Sequence, residues 1–218
     1  AGDIANKLKI RGFDFEIRRP SLGDTLPTNL NNYSAIVVFG GPMSANDNDE
    51  FMKKEIDWIG QVLQSEVPFL GICLGAQILV KYLGCKVEKN PNELSEIGFY
   101  KIQPTEKGIK LFQSQDVFYQ FHTEGFELPS GCELLAKGDI FTNQAFKYKN
   151  CYGLQFHPEV NIYLHLKWLF LVLIKKPHIL FKKGAQNIFY QLWLRIKYNN
   201  SISRWLDDFL DNYLLKEQ

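Results

Sequence analysis

Val67-Pro68-Phe69-Leu70-Gly71-Ile72-Cys73-Leu74-Gly75-Ala76-Gln77-Ile78-Leu79-Val80 changes its periodicity halfway along. After the proline, Phe69 to Ile72 is a short continuous apolar run, the pattern of a strand buried on both faces. From Leu74 the apolar positions recur at helical spacing, through Ile78 and Leu79 to Tyr82. At the switch stands Cys73, with Gly71 and Gly75 two residues away on either side. That is the spacing of a nucleophile elbow, with cysteine where hydrolases place serine. The glycines let strand and helix approach closely around a strained turn, which lifts the central side chain clear of the sheet edge. A thiol there also sits at a helix N-terminus, whose partial positive charge favours the thiolate. The competing fate of a free cysteine is that of a small buried hydrophobe, and Cys85, Cys132 and Cys151 take that default. Cys73 departs from it only through its glycines and the strand-to-helix switch, so its partners must decide.

The 218 residues have an ordinary composition, which fits one globular α/β domain. With 25 basic and 24 acidic residues the formal charge is +1, so no global field for nucleic acid or membrane is expected. Four cysteines without a CxxC pair fit a reducing compartment, and no signal pattern opens the chain. The longest apolar run, Trp168 to Ile174, is far below the roughly 20 residues of a membrane span. A soluble cytoplasmic protein is the expectation.

Upstream of the elbow, Asp3 to Arg11 predicts the end of a helix, with Ile4 and Leu8 on one face and Gly12 stopping it. Phe13-Asp14-Phe15-Glu16-Ile17 alternates apolar and acidic residues and predicts a half-exposed strand. Ala35 to Phe39 predicts a buried strand that runs straight into Gly40-Gly41-Pro42-Met43-Ser44. Open α/β sheets build their sites in loops at that end of a strand. Phe51 to Glu66 predicts an amphipathic helix with Phe51, Ile56, Ile59, Val62 and Leu63 inward. Beyond Gly84 come short strands at Phe99 to Ile102, Val117 to Phe121 and Glu133 to Ala136. Ala145 to Tyr148 and Cys151 to Phe156 then read as a hairpin.

A cysteine nucleophile needs a base, and the base needs an orienting group. Of the four histidines, His157 has the best setting, because it ends an apolar strand and Glu159 follows two residues later. Pro158 forces a turn that could bring the Glu159 carboxylate back onto the imidazole, leaving the other ring nitrogen for Cys73. His165 and His178 lack such a setting and are assigned to surface or packing.

Gly40-Gly41-Pro42, Gly71-Ile72-Cys73-Leu74-Gly75-Ala76-Gln77 and Gly153-Leu154-Gln155-Phe156-His157-Pro158-Glu159 together resemble the class I glutamine amidotransferases. The match runs from about Tyr33 to Val160, and more weakly to the C-terminus. Gly-Gly-Pro-Met-Ser, Glu96-Ile97-Gly98, Asn143-Gln144-Ala145-Phe146 and the Trp205 helix are similar to stand-alone, GMP-synthase-like members. The resemblance implies an open, mostly parallel α/β sheet of the flavodoxin-like kind, with helices on both faces and a small antiparallel β excursion. It implies that Cys73 attacks the γ-carbonyl of a glutamine-like substrate to form a γ-glutamyl thioester. His157 then serves as acid and base, and Glu159 orients it. The backbone N–H groups of Gly41 and Leu74 are the implied oxyanion hole, and Gln77, with Gly40, His122 and Thr123, the implied substrate contacts. No cofactor or metal is implied.

Family members normally begin with a strand before the first helix, whereas here Ala1 falls where the helix is under way. The expectation is therefore a single amidotransferase domain, residues 1–218, that lacks its first strand. No GxxxxGK[ST] pattern is present, so ammonia is expected to go to a separate synthase subunit or to water. Two alternatives stay open: a γ-glutamyl peptide or amide hydrolase using the same three residues, and a non-catalytic regulatory or binding subunit on this scaffold. The C-terminal segment is unusual, with no acidic residue between Glu159 and Asp207 but eight basic ones and interleaved aromatics. It is either a basic interface or a set of helices that pack aromatics on the sheet and turn lysines to water. Charge runs are usually solvated faces, which favours the second.

Overall fold

The change of periodicity at Cys73 is a change of backbone. The structure, a computed structural model, describes residues 2–216. The chain runs α1 (Gly2–Ile10), β1 (Ile36–Val38), α2 (Glu50–Ser65), β2 (Phe69–Ile72) and α3 (Leu74–Tyr82). Then come β3 (Val87–Lys89), β4 (Glu96–Lys101), β5 (Gln103–Pro104), α4 (Ile109–Phe112), β6 (Val117–His122) and β7 (Glu124–Phe126). The last elements are β8 (Glu133–Lys137), β9 (Asn143–Tyr148), β10 (Cys151–Leu154), α5 (Ile162–Lys175) and α6 (Ile188–Phe209).

Six strands form one sheet in the order β1-β2-β10-β9-β8-β5. The pairs β1–β2 and β2–β10 are parallel, and the sheet continues antiparallel through the β9–β10 hairpin to β8 and β5. Two antiparallel pairs, β3–β7 and β4–β6, make the excursion beside it. The expected architecture therefore holds: a parallel centre, helices on both faces and an antiparallel extension.

Alternation along the strands divides the core. Phe69 and Cys151 pack on the side of α2 and α3, with Trp58, Ile59, Val62 and Ile78. Their neighbours Leu70, Ile72, Tyr152 and Leu154 point the other way, to Trp205, Leu206 and Phe209 of α6. Because β2 and β10 are covered on both sides, their sequences are apolar throughout rather than alternating. Trp205 anchors the second face: it stacks on Phe112 at 5.6 Å, and its indole N–H donates to the Leu111 carbonyl at 2.7 Å. Each such buried aromatic contributes roughly 1.5–3 kcal/mol over an exposed one.

Two expectations need correction. Phe13 to Ile17 is not a strand: it has no ladder, and Phe15 and Ile17 are exposed. Its alternation is real, but a strand needs a neighbour, and β1 lies across a cavity of about 530 Å³ from it. Among the described residues β1 has a ladder only to β2. The second correction concerns the C-terminal aromatics. Trp205 is buried and Trp168 half-buried, but Phe170, Phe181, Phe189, Tyr190 and Trp193 face water along with the lysines. α5 is apolar on nearly every side yet buries only His165 and Leu169, so one stripe of it meets the body. In α2, Met52 and Trp58 join Ile59 and Val62 as the buried face, while Phe51, Ile56 and Leu63 are partly buried. No helix among the described residues is long and apolar enough to cross a membrane.

Candidate active site

Three parallel strands release their chains at one edge of the sheet. Val38 lies opposite Gly71, and Ile72 opposite Leu154, so the segments after β1, β2 and β10 leave side by side. Gly40, Cys73 and His157 all follow those strand ends.

Cys73 has φ 52° and ψ −106°, a left-handed backbone that a non-glycine residue holds at a cost of about 1–3 kcal/mol. Its neighbours impose the conformation. The Cys73 N–H donates to the Leu154 carbonyl at 2.7 Å. A Cβ on Gly71 would stand 2.6 Å from the Gly75 carbonyl carbon, and one on Gly75 only 2.1 Å from the Val38 oxygen. Any side chain at either glycine would drive helix and sheet apart, so both are needed for the elbow to close.

His157 is fixed from several directions. Its backbone N–H donates to the Tyr119 carbonyl at 2.8 Å, tying the loop after β10 to β6. The Nδ1–H donates to Glu159 Oε1 at 2.8 Å, with both side chains buried. The Trp168 indole meets the ring edge-on with centroids 5.1 Å apart. The imidazole and the Cys73 side chain converge on Gly40, where a Cβ would meet both. Burial works against the imidazolium, but the Glu159 carboxylate and the Cys73 sulfur outweigh it and push His157 up to about 10. The imidazole is therefore cationic at neutral pH.

Gly40 lies against this pair rather than on the cavity wall that Gly41 lines. A Cβ there would come within 2.7 Å of His157 Cε1 and 3.3 Å of Cys73 Cβ. Gly40→Ala is expected to swing the imidazole off line and lower kcat about 100-fold, the scale of a 1 Å misplacement. Steady-state turnover alongside a thermal melt checks this; unchanged kcat in a folded variant contradicts it.

A cavity of about 400 Å³ opens over Cys73, lined by Gly41, Leu74 and Gln77 on one side and His122, Thr123 and Glu124 on another. Leu74 is the first residue of α3, and the leading N–H groups of a helix have no acceptor within it. Gln77 is buried, not exposed, and its amide donates to the Glu124 carbonyl at 3.0 Å and to Gln155 Oε1 at 3.3 Å. Both ring nitrogens of His122 are engaged, one with the Glu124 carbonyl at 2.9 Å and one facing Glu96 Oε2 at 3.0 Å. Glu124 is held in turn by the Ser44 hydroxyl at 2.8 Å. Among the described residues no cluster of three or more His, Cys, Asp or Glu side chains is arranged to hold a metal.

Sequence reasoning missed several participants. Gln155, just past the end of β10, places its amide 3.7 Å from Cys73 Sγ, whereas the sequence pattern extends the strand through it to Phe156. A glutamine closing an otherwise apolar run, and buried in the structure, is the available signal. Trp168 belonged to the undifferentiated aromatic run, and nothing local marked it as the wall of His157.

A cysteine on a strained elbow facing a buried histidine–carboxylate pair is the arrangement nucleophilic acyl transfer uses. The sequence pattern of the glutamine amidotransferase class-I family matches residues 2–176, and the chain belongs to that family, whose members hydrolyse glutamine through a cysteine nucleophile. A glutamine amidotransferase-like protein of Salmonella typhimurium, YfeJ, is 31% identical over 173 residues, covering 74% of this chain and 72% of that one. A glutamine-hydrolyzing GMP synthase of Brachyspira hyodysenteriae is 36% identical over 131 residues, or 58% of this chain. The match spans only about a quarter of the length of such GMP synthases, 24% in that case. Among solved structures, a glutamine amidotransferase from Thermotoga maritima superimposes with a TM-score of 0.88 at 26% identity, covering 99% of this chain and 93% of that one.

Proposed function

We propose that the protein hydrolyses the γ-amide of glutamine through a cysteinyl γ-glutamyl thioester, with Cys73, His157 and Glu159 as its catalytic residues. The observation that carries this reading is the strained elbow of Cys73 beside an imidazole held by a buried carboxylate. The Cys73 thiolate adds to the γ-carbonyl carbon, and the developing oxyanion accepts hydrogen bonds from the N–H groups of Leu74 and Gly41. Such preorganised donors are worth about 10² to 10³ in rate. Collapse breaks the carbon–nitrogen bond, and the imidazolium gives its proton to the departing ammonia. The neutral ring next removes a proton from water, which attacks the thioester. Collapse of the second adduct breaks the carbon–sulfur bond, glutamate leaves, and the ring keeps the proton it took from water, so the thiolate–imidazolium pair is restored. Glutamine and water thus become glutamate and ammonia. Glu159 keeps the ring oriented throughout and stabilises its cationic form. The ammonia passes to a separate acceptor subunit or to water.

A second reading has its own support in the outer half of the cavity. There α5 and the turn after it supply Leu171, Val172 and Ile179, with Lys175 and Lys176 beside them. About 400 Å³ is within the range that takes drug-sized ligands. An apolar wall with two cations suits a γ-glutamyl peptide, whose second residue has a side chain and a carboxylate. Parallel assays settle the choice, measuring glutamate and ammonia from glutamine and free amino acid from γ-glutamyl-leucine. The first reading expects the higher kcat/KM on glutamine; rapid dipeptide cleavage with negligible glutamine turnover replaces it with the second.

A further inference from the structure

Behind Glu159 lies a set of buried polar atoms that the chemistry above leaves unused. Among the described residues, three buried side-chain polar atoms have no hydrogen-bond partner: Tyr119 Oη, Glu159 Oε2 and Arg195 Nη2. They belong to one neighbourhood. Arg195 comes from α6, is fully buried, and lays its guanidinium over the Phe99 ring at 4.7 Å and the Tyr119 ring at 5.3 Å. The same Tyr119 accepts the His157 N–H at its carbonyl. Trp168 packs on both, with centroids 5.1 Å from His157 and 6.3 Å from Tyr119.

A buried guanidinium without a carboxylate partner is expensive, and so is a buried carboxylate oxygen without a donor. Arg195 makes no direct ion pair among the described residues, and Glu159 places only one oxygen on His157. Each supplies the charge the other lacks. The remaining titratable groups around them do not take that part. His165 of α5 accepts from Arg195 Nε at 3.4 Å, and burial with the nearby guanidinium holds it down to about 4, hence neutral. Burial raises the Tyr119 hydroxyl well above its ordinary range, so it too is uncharged. Asp3 of α1 also acts on Arg195 through space, after Glu159, but it accepts from Ser203 and lies 3.8 Å from Lys7, which shares its charge. Burial lowers Arg195 only to about 10, so it is cationic at neutral pH.

We propose that Arg195 is a positioning residue: its buried charge is the counter-ion of Glu159 and, through that carboxylate, governs how His157 and Cys73 share their proton. The inference rests on the catalytic roles proposed above, so its test does not use glutamine. The rate of Cys73 alkylation by iodoacetamide is followed against pH, read at the Cys73 peptide by mass spectrometry. Removing a buried positive charge raises the proton affinity of every group beside it. The acid limb of Arg195→Gln should therefore move up by about one pH unit, a tenfold change in the equilibrium. Arg195→Lys, which keeps the charge, should bring it back close to wild type. A folded Arg195→Gln with an unmoved limb, or a lysine variant shifted equally far, overturns the proposal. A double-mutant comparison covers the case in which Arg195→Gln fails to fold. The pair Glu159→Gln/Arg195→Gln, now without either buried charge, should melt higher than Arg195→Gln alone, and a double variant that melts no higher overturns the proposal. Absence of glutamine turnover with the limb shifted as expected would count against the amidotransferase chemistry and leave the charge coupling standing.

Discussion

Cys73→Ala is expected to lose glutamine hydrolysis, with kcat falling by at least about 10⁴-fold, because it removes the proposed nucleophile of a cooperating triad. The fold survives, because the change deletes one sulfur from a turn held by the Leu154 carbonyl and by the close packing of Gly71 and Gly75. A diazoketone analogue of glutamine should label wild-type Cys73 and leave Cys85, Cys132 and Cys151 unmodified. The environments of the four thiols argue for that selectivity. Burial pushes Cys132 up to about 11 and Cys151 up to about 12, so both stay protonated and inert. Cys73 alone faces an imidazolium. Ammonia release by Cys73→Ala at the wild-type rate, or labelling spread over several cysteines, would overturn its role.

His157→Ala is expected to have an effect of similar size, because in the proposed mechanism thiolate formation and protonation of the leaving amine both pass through this ring. Glu159→Gln is milder, about 10² to 10⁴-fold, and its pH behaviour is the more informative result. With His157 held up to about 10, wild-type kcat should stay high through neutral pH and fall as the ring loses its proton near that value. Glu159 is among the groups that raise the imidazole, and removing an anion lowers proton affinity. The alkaline limb of Glu159→Gln should therefore move to lower pH, toward the ordinary histidine value of about 6.5. This shift is opposite in sign to the one expected for Arg195→Gln, where a cation is removed. A Glu159→Gln profile with its alkaline limb unmoved would dissociate the carboxylate from the titrating ring.

The C-terminal helices show how far a composition signal goes. Lysines and aromatics in an acid-free run favour ordinary packing over an interface but do not say which aromatics pack, because residue type does not say which way a side chain points. α6 turns Trp205, Leu206 and Phe209 onto the sheet and leaves Phe189 and Trp193 in water. The same run contains Trp168 and Arg195, which close the region behind His157. Neither has a local mark, since Trp168 is set against His157 across the turn after β10 and Arg195 against Phe99 and Tyr119 of β4 and β6.

What the sequence determined by itself were the features whose physics is local. A β-to-α change of period with glycines on both sides of a thiol is contained in five residues, and it defined β2, the elbow and α3 to the residue. His-Pro-Glu likewise carries its own turn, and the imidazole–carboxylate bond forms across two positions. The tertiary structure alone decided what depends on neighbours distant in the chain. Phe13 to Ile17 has the alternation of a strand but no adjacent backbone to pair with, and a strand is made by its partner. The three orphaned polar atoms behind Glu159 come from β6, the loop after β10, and α6. Only the packing of those segments brings a buried cation toward a buried carboxylate, because charges interact through space and not along the chain.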